Sequence, residues 1–275
     1  MTPRWWREDR SHWTRTGIVV ASILSVTGLA LSALLAWVPQ RSPAAPVSDD
    51  NPLPVRVIAP EPEGSPQPRP DEPTEPTGGW GPDRPTFTFA APPRYPVFNS
   101  ITDNPAHGDE RNFVQCSDLT LDGEFGEELV LRDEHIYEVY IYFANDIANS
   151  LDDGNEAAAV QMATVRATLP SESMEDPAIQ GQLRGDNVPT VWDSCRFYHA
   201  RPGQLIYEYG SARMYTWGTP EDGLPLPELE ANGAITSGIV TADGAPLGYS
   251  SADGIVRASP EYAGFVKFRV RAVID

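Results

Sequence analysis

Positive charge is scarce in this chain. Its 275 residues include 20 lysines and arginines against 39 aspartates and glutamates, a formal net charge of −19 at pH 7, and Lys267 is the only lysine. Nucleic acids and anionic membrane surfaces are polyanions that attract basic proteins. The composition therefore predicts no nucleic-acid partner and no adsorption to an anionic lipid surface.

Catalytic motifs are missing as well. The sequence contains no GxSxG nucleophile elbow, no HExxH zinc motif and no phosphate-binding glycine loop. The nearest serine motif, GYSSA at 248–252, lacks the second glycine. The four histidines are isolated in sequence, which is typical of surface or structural histidines; they are His12, His107, His135 and His199. These absences predict a protein that is not an enzyme.

Cysteine is rare too, with only Cys116 and Cys195 present. Neither belongs to a CxxC pair or lies near a histidine cluster, so neither redox catalysis nor a zinc site is supported. In an oxidising compartment, an even number of cysteines favours a disulfide, which here would close a loop of about 80 residues. Two buried thiols are the alternative.

One long hydrophobic run is present, from Gly17 to Val38. It carries no charge, and about 22 residues at a rise of 1.5 Å span about 33 Å, enough to cross a hydrocarbon core of about 30 Å. Trp13 and Trp37 bracket the run, at the depth where aromatic side chains favour lipid headgroups. The sequence therefore predicts a transmembrane helix at 17–38.

The charge around this run predicts its orientation. Four arginines precede it and Arg41 alone follows closely, so the positive-inside rule places the tail 1–16 in the cytoplasm and the C-terminal part outside the cell. A cleaved secretory signal is the alternative, but its apolar stretch is typically about 7–15 residues long and is followed by a small-residue cleavage site. Residues 37–40, WVPQ, offer no such site. We expect an uncleaved, single-pass signal anchor in the cell membrane, and this location in turn favours the disulfide.

Residues 39–85 are rich in proline and acidic side chains, with few aromatic or branched apolar residues after Ile58. Such a segment cannot form a core, and repeated proline favours extended polyproline II at about 3.1 Å per residue. We predict a disordered, semi-rigid stalk that holds the rest of the chain away from the membrane.

The remaining residues, 86–275, alternate between polar and apolar side chains in many short segments. Ile136–Phe143 is the clearest case. The others are Thr86–Phe89, Ala163–Leu169, Val191–Tyr198, Gln204–Tyr209, Ala212–Thr216 and Phe265–Val273. Asp-Gly and Asn-Gly pairs lie between them as turn signals, and the only candidate helix is the short, alanine-rich Asn155–Met162. This pattern predicts an all-β domain, an antiparallel β-sandwich over residues 86–275.

Five segments of this region carry recognisable short motifs. They are YIYFAN at 140–145, ATLP at 167–170, DNVPTVWD at 186–193, YGSARMY at 209–215 and the C-terminal segment 253–270. In this order they resemble the conserved-repeat domains of bacterial cell-surface proteins, over roughly residues 110–275. Those domains are Ig-like sandwiches of unassigned function, so the resemblance implies an Ig-like fold and a surface location. This chain carries one copy instead of a tandem array.

Two acidic loops offer oxygen ligands of the kind that calcium prefers. The first contains Asp146, Asp152, Asp153 and Asn155, and the second spans 103–110. Neither has EF-hand spacing, and solvated turn residues are the simpler explanation of both. The first loop is therefore kept as a calcium candidate, and no other cofactor is predicted.

These features lead to one hypothesis of function, a membrane-anchored cell-surface protein whose β-sandwich is a binding or structural module in the bacterial envelope. We expect its partner outside the cell to be a protein or a cell-wall polymer. An extracellular cell-wall hydrolase and a carbohydrate-binding module are the alternatives. For the latter, six aromatic residues could form a sugar-stacking platform or belong to the core; they are Trp192, Trp217, Tyr207, Tyr209, Tyr215 and Tyr249.

Overall fold

The computed structural model describes residues 79–152 and 155–275. The predicted cytoplasmic tail, the predicted anchor at 17–38 and most of the predicted stalk at 39–85 lie outside these residues. Within the described part, no helix is long and apolar enough to cross a membrane.

The described chain consists of short β-strands and three single-turn 3₁₀ helices, and none of its residues forms an α-helix. The strands are β1 (Val114–Asp118), β2 (Glu128–Val130), β3 (Ile136–Phe143), β4 (Val160–Gln161), β5 (Thr164–Thr168), β6 (Ala178–Gly185), β7 (Val188–Tyr198), β8 (Gly203–Tyr207), β9 (Arg213–Tyr215), β10 (Leu224–Pro225), β11 (Leu229–Ala231), β12 (Ala234–Ser237), β13 (Ala245–Pro246), β14 (Ile255–Val256) and β15 (Gly264–Ile274). The 3₁₀ helices are Leu119–Leu121, Asn149–Leu151 and Glu156–Ala158. The predicted all-β class is confirmed.

The first sheet has the strand order β1-β3-β15-β9-β10, and β8 pairs with the C-terminal half of β15. All of these pairings are antiparallel. Strand β3 occupies the residues predicted from alternation, and the side chains on its inner face are fully buried. Because β3 and β15 are the longest strands of this sheet and pair with each other, they form its centre.

The second sheet has the order β13-β5-β6-β7-β2. Strands β5, β6 and β7 are antiparallel neighbours, whereas β2 runs parallel to the end of β7. The inner face of β7 carries Val191, Asp193, Cys195 and Phe197, all of them buried. Two short ribbons, β11–β12 and β14–β4, complete the described strands.

The core lies between these two sheets. Tyr137 of β3 packs edge-on against Phe197 of β7, with ring centroids 4.9 Å apart. Cys116 of β1 and Cys195 of β7 form a disulfide, and neither sulfur-bearing side chain reaches solvent. The expected disulfide is therefore present, and it ties one sheet to the other.

Gly181 of β6 lies close to the opposite sheet. A Cβ atom built there would lie 2.7 Å from Val114 Cγ2 and 2.9 Å from Ile141 Cδ1, both on the opposite sheet. Because a well-packed core resists added volume, we expect Gly181→Ala to lower the free energy of unfolding by about 1–3 kcal/mol, measured by urea denaturation. Gly126→Ala is the matched control, since nothing lies within 4 Å of its Cβ position. Equal midpoints for the two variants would contradict close packing at Gly181.

The segment 79–84, which precedes the first strand, is attached to β7. Gly81 exchanges two backbone hydrogen bonds with Trp192, at 2.8 and 2.7 Å, and Ser194 Oγ donates to the Gly79 carbonyl at 2.9 Å. The Trp192 ring lies against Gly81, where a Cβ would fall 2.5 Å from a ring atom. The chain is thus attached to the second sheet from Gly79 onward. This attachment begins inside the range 39–85 that was predicted as the stalk.

Candidate functional site

A cluster of buried polar side chains lies where the loop after β3 meets the segment 97–113. Glu110 and Asp146 form its centre, and their exposed fractions are 1% and 2%. The charge of Asp146 acts on Glu110, and one oxygen of each carboxyl group, Glu110 Oε2 and Asp146 Oδ1, is buried without a hydrogen-bond partner. We call these two residues the acid pair.

Asn99 fixes the segment 97–113 over the end of β3. Its Nδ2 donates to the Tyr142 carbonyl at 3.0 Å, and its Oδ1 accepts from the Ala144 amide at 2.8 Å. The backbone of Asn99 is left-handed, with φ at 44°, a conformation that asparagine tolerates better than most residues. This clamp places Ser100 and Ile101 directly beside Asp146.

Backbone and side-chain donors then surround the acid pair. Asp146 Oδ2 accepts from the amides of Ser100 and Ile101, at 2.5 and 3.2 Å, and from Ser100 Oγ at 3.0 Å. Asn104 Nδ2 donates to Glu110 Oε1 at 2.5 Å. These donors hold one oxygen of each acid, Asp146 Oδ2 and Glu110 Oε1.

Burial controls the protonation of the acid pair. It raises the pKa of Asp146 to about 6, against the stabilising hydrogen bonds from Ser100. Burial, and then the neighbouring Asp146, raises the pKa of Glu110 well above its usual range. Two nearby anions in a low-dielectric interior repel each other, and this repulsion favours the protonated form of one of the two groups.

A third buried carboxyl group, Asp193, lies on the inner face of β7. Its Oδ2 accepts from the Val114 amide at 2.6 Å, across the gap between the sheets. Burial raises the pKa of Asp193 to about 7. This group therefore changes charge near neutral pH while it bridges the two sheets.

Arg84 brings positive charge to the cluster. Its Nη2 donates to the Asn99 carbonyl at 2.9 Å, and its charge acts on both Asp146 and Asp193. Burial lowers the pKa of Arg84. A single guanidinium offsets only part of the negative charge that Glu110, Asp146 and Asp193 would carry if all three were ionised. Glu110, Asp146 and Asp193 are all buried. They can bind and release protons, but they are not in reach of a substrate outside the fold.

The candidate calcium ligands lie in separate environments. Asp146 belongs to the acid pair, and Asp152 accepts from the Ala258 amide at 3.4 Å and lies 3.8 Å from the Arg257 guanidinium. Asn155 caps the 3₁₀ turn 156–158 through its side chain. Asp153 lies outside the described residues. In the part of the chain that the structure describes, no three His, Cys, Asp or Glu residues form a group able to hold a metal ion.

The three described histidines also lie apart. His135 Nδ1 pairs with Asp118 at 2.8 Å, and His107 stacks on Tyr142 with centroids 3.9 Å apart. His199 accepts from the Arg201 amide through Nδ1. Among residues 79–152 and 155–275, the recorded side-chain partner of the His135 ring is Asp118 and no serine hydroxyl bonds to it.

Comparison with known proteins adds no constraint. No protein-family model matches this chain, and neither a curated protein nor a solved structure does. Its function is therefore inferred from its own residues.

The six aromatic residues considered for sugar stacking do not share one environment. Tyr215 stacks on Phe265 with centroids 4.9 Å apart, Tyr207 donates a short hydrogen bond to Glu228, and Trp192 packs on Gly81. Tyr249 packs on another tyrosine, Tyr262. Tyr209 and Trp217 are more exposed. Most of the set thus contributes to packing.

Sequence reasoning did not single out Asn99 or Asp193. Asp193 was detectable, because alternation along Val191–Phe197 places it on the inner face of a strand, where a carboxyl group is unusual. Asn99 gave no comparable signal, since its clamp depends on a strand end more than forty residues away.

Proposed function

We propose that this chain is a membrane-anchored cell-surface protein of the bacterial envelope. Residues 17–38 anchor it, residues 39–85 form its stalk, and the all-β domain that follows is an Ig-like sandwich. That domain binds a protein or a cell-wall polymer outside the cell, or has a structural role there.

The disulfide is the observation that carries this proposal. Cys116 and Cys195 are the only cysteines, they lie on opposite sheets, and both are buried. Disulfides form and persist outside the cytoplasm and are rare within it. The outward topology predicted from the N-terminal arginines requires the same location for this domain.

The arrangement of the strands supports the family proposal. Two mainly antiparallel sheets enclose the core, and the segments that resemble conserved-repeat domains overlap β3, β7, β9 and β15. A fold of this kind presents loops and sheet faces to which a partner can bind, which suits a binding or structural module.

A protease-protection experiment on whole cells tests the topology. Cells expressing the full chain with a C-terminal epitope tag are treated with protease before and after permeabilisation. We expect loss of the tag from intact cells and survival of a cytoplasmic marker protein. A tag that survives in intact cells and disappears only after permeabilisation would reverse the topology and remove the proposal.

A thiol-labelling control separates topology from disulfide formation. A membrane-impermeant maleimide should leave Cys116 and Cys195 unmodified in denatured wild-type protein until a reductant is added. Labelling without reductant would show free thiols and remove the main support for an oxidising location.

A further inference from the structure

Strands β1 and β7 are joined at two points across the sheets. Asp193 bonds the Val114 amide, and two residues further along each strand Cys195 bonds Cys116. One connection is covalent, and the other depends on a titratable side chain. The disulfide therefore responds to reduction, whereas the Asp193 connection responds to pH.

The Asp193 connection lies directly beside the segment 79–84. Trp192 pairs with Gly81 through its backbone, and Ser194 donates to the Gly79 carbonyl through its hydroxyl. Both neighbours of Asp193 in β7 thus hold the start of the folded domain. Any movement of β7 at Asp193 acts on this attachment.

Asp193 is enclosed by amides and by few opposing charges. Burial raises the pKa of its carboxyl group, and the backbone amides of Val114, Ser194 and Phe113 offset part of this rise. Glu127, from the segment before β2, faces it with like charge, and Arg84, from the segment 79–84, acts on it with opposite charge. The side chain is 2% exposed, so an ionised carboxylate receives little help from water.

We propose that Asp193 makes the β1–β7 junction a pH-sensitive latch, closed while the carboxyl group holds a proton and loosened when it ionises. Ionisation leaves a buried anion beside Glu127, and local opening relieves this by admitting water. The Cys116–Cys195 disulfide limits the opening, so the latch releases the segment 79–84 and the start of β1 without separating the sheets.

The direction follows from proton linkage. Burial holds the pKa of Asp193 at about 7, above the ordinary value of 3.8, so the closed state binds a proton that the open state has released. Opening therefore increases with pH between about 4 and 7, by at most about tenfold for each pH unit, and levels off above that range.

Hydrogen exchange on the full-length chain in detergent tests the latch. After correction for intrinsic exchange, we expect the opening of the Val114 amide to increase by up to about 100-fold between pH 5 and pH 7. The amide of Val266, in the centre of the first sheet, serves as the internal reference. A Val114 opening constant that does not change with pH would overturn the proposal.

Two variants identify the responsible group. Asp193→Asn should abolish the pH dependence at Val114, and retention of that dependence would overturn the assignment. If Asp193→Asn does not fold, Glu127→Gln tests the same assignment. Removal of the Glu127 charge should lower the pH at which the opening of the Val114 amide levels off. The exposed Glu124→Gln is the matched control, and equal transitions in the two glutamine variants would count against the latch.

Discussion

Removal of the disulfide will lower the free energy of unfolding by about 4 kcal/mol. Cys116 and Cys195 are 79 residues apart, and a cross-link that closes so long a loop removes much of the entropy of the unfolded chain. Domains of this size are typically stable by about 5–15 kcal/mol, so the loss is a large part of the total. We expect the Cys116→Ala/Cys195→Ala double variant to unfold at much lower urea concentration.

Alanine is the better replacement here because both positions are buried between the sheets and a serine hydroxyl would lack a partner. Urea denaturation of the wild type with and without reductant gives an independent estimate, and reductant should leave the double variant unchanged. If the free energies of unfolding of the wild type and the double variant differ by less than about 1 kcal/mol, then contacts such as Tyr137–Phe197, and not the disulfide, hold the two sheets together.

The central strands could be predicted because their side chains alternate without interruption. β3 has the predicted bounds, and β15 extends the predicted segment by one residue at each end. The Asn232–Gly233 turn also follows from its sequence, since both residues adopt the left-handed conformation that a two-residue hairpin requires. In these places local chemistry and tertiary packing favour the same structure.

Strand β6 was not predicted, because Gln180, Gly181 and Gln182 interrupt its apolar pattern. Position 181 requires glycine because Val114 and Ile141 of the opposite sheet leave no room for a side chain there. Thr86–Phe89 alternates like a strand but forms only isolated bridges at Phe87 and Thr88.

The alanine-rich segment 155–162 was the candidate helix, and that expectation was wrong. It forms one 3₁₀ turn capped by Asn155 and then enters β4, which pairs with β14. Pairing with a distant strand outweighed helix propensity, which is a weak local preference.

The acid pair illustrates why the candidate site was only partly predictable. Glu110 and Asp146 were each noted as acidic loop residues, but their separate loops gave no indication that they lie close enough to interact. Contact requires the Asn99 clamp, which brings the segment 97–113 over the end of β3. Sequence therefore supplied the residue types, and the fold supplied their juxtaposition.

Glu110→Gln will stabilise the protein above neutral pH. The glutamine oxygen can still accept from Asn104, while its amide nitrogen replaces Glu110 Oε2 and can donate to Asp146 Oδ1, two atoms that have no partner in the wild type. Removing one of two buried, adjacent acids relieves their repulsion when both would be ionised. We expect a gain of about 2 kcal/mol at pH 8 and a difference within about 0.5 kcal/mol at pH 4.

The sign follows from the raised pKa values. Folded Asp146 has a pKa of about 6 instead of 3.8, and that of Glu110 is also raised, so the native state binds protons that the unfolded chain has released. The stability that these two groups contribute is thus fully present below about pH 4 and is lost as pH rises through about 6 and beyond. Urea denaturation of both proteins from pH 4 to 8 measures this, and subtracting the two curves removes the common contribution of Asp193. The exposed Glu124→Gln should show no such divergence; if Glu110→Gln also runs parallel to the wild type, then repulsion between the two acids does not affect stability.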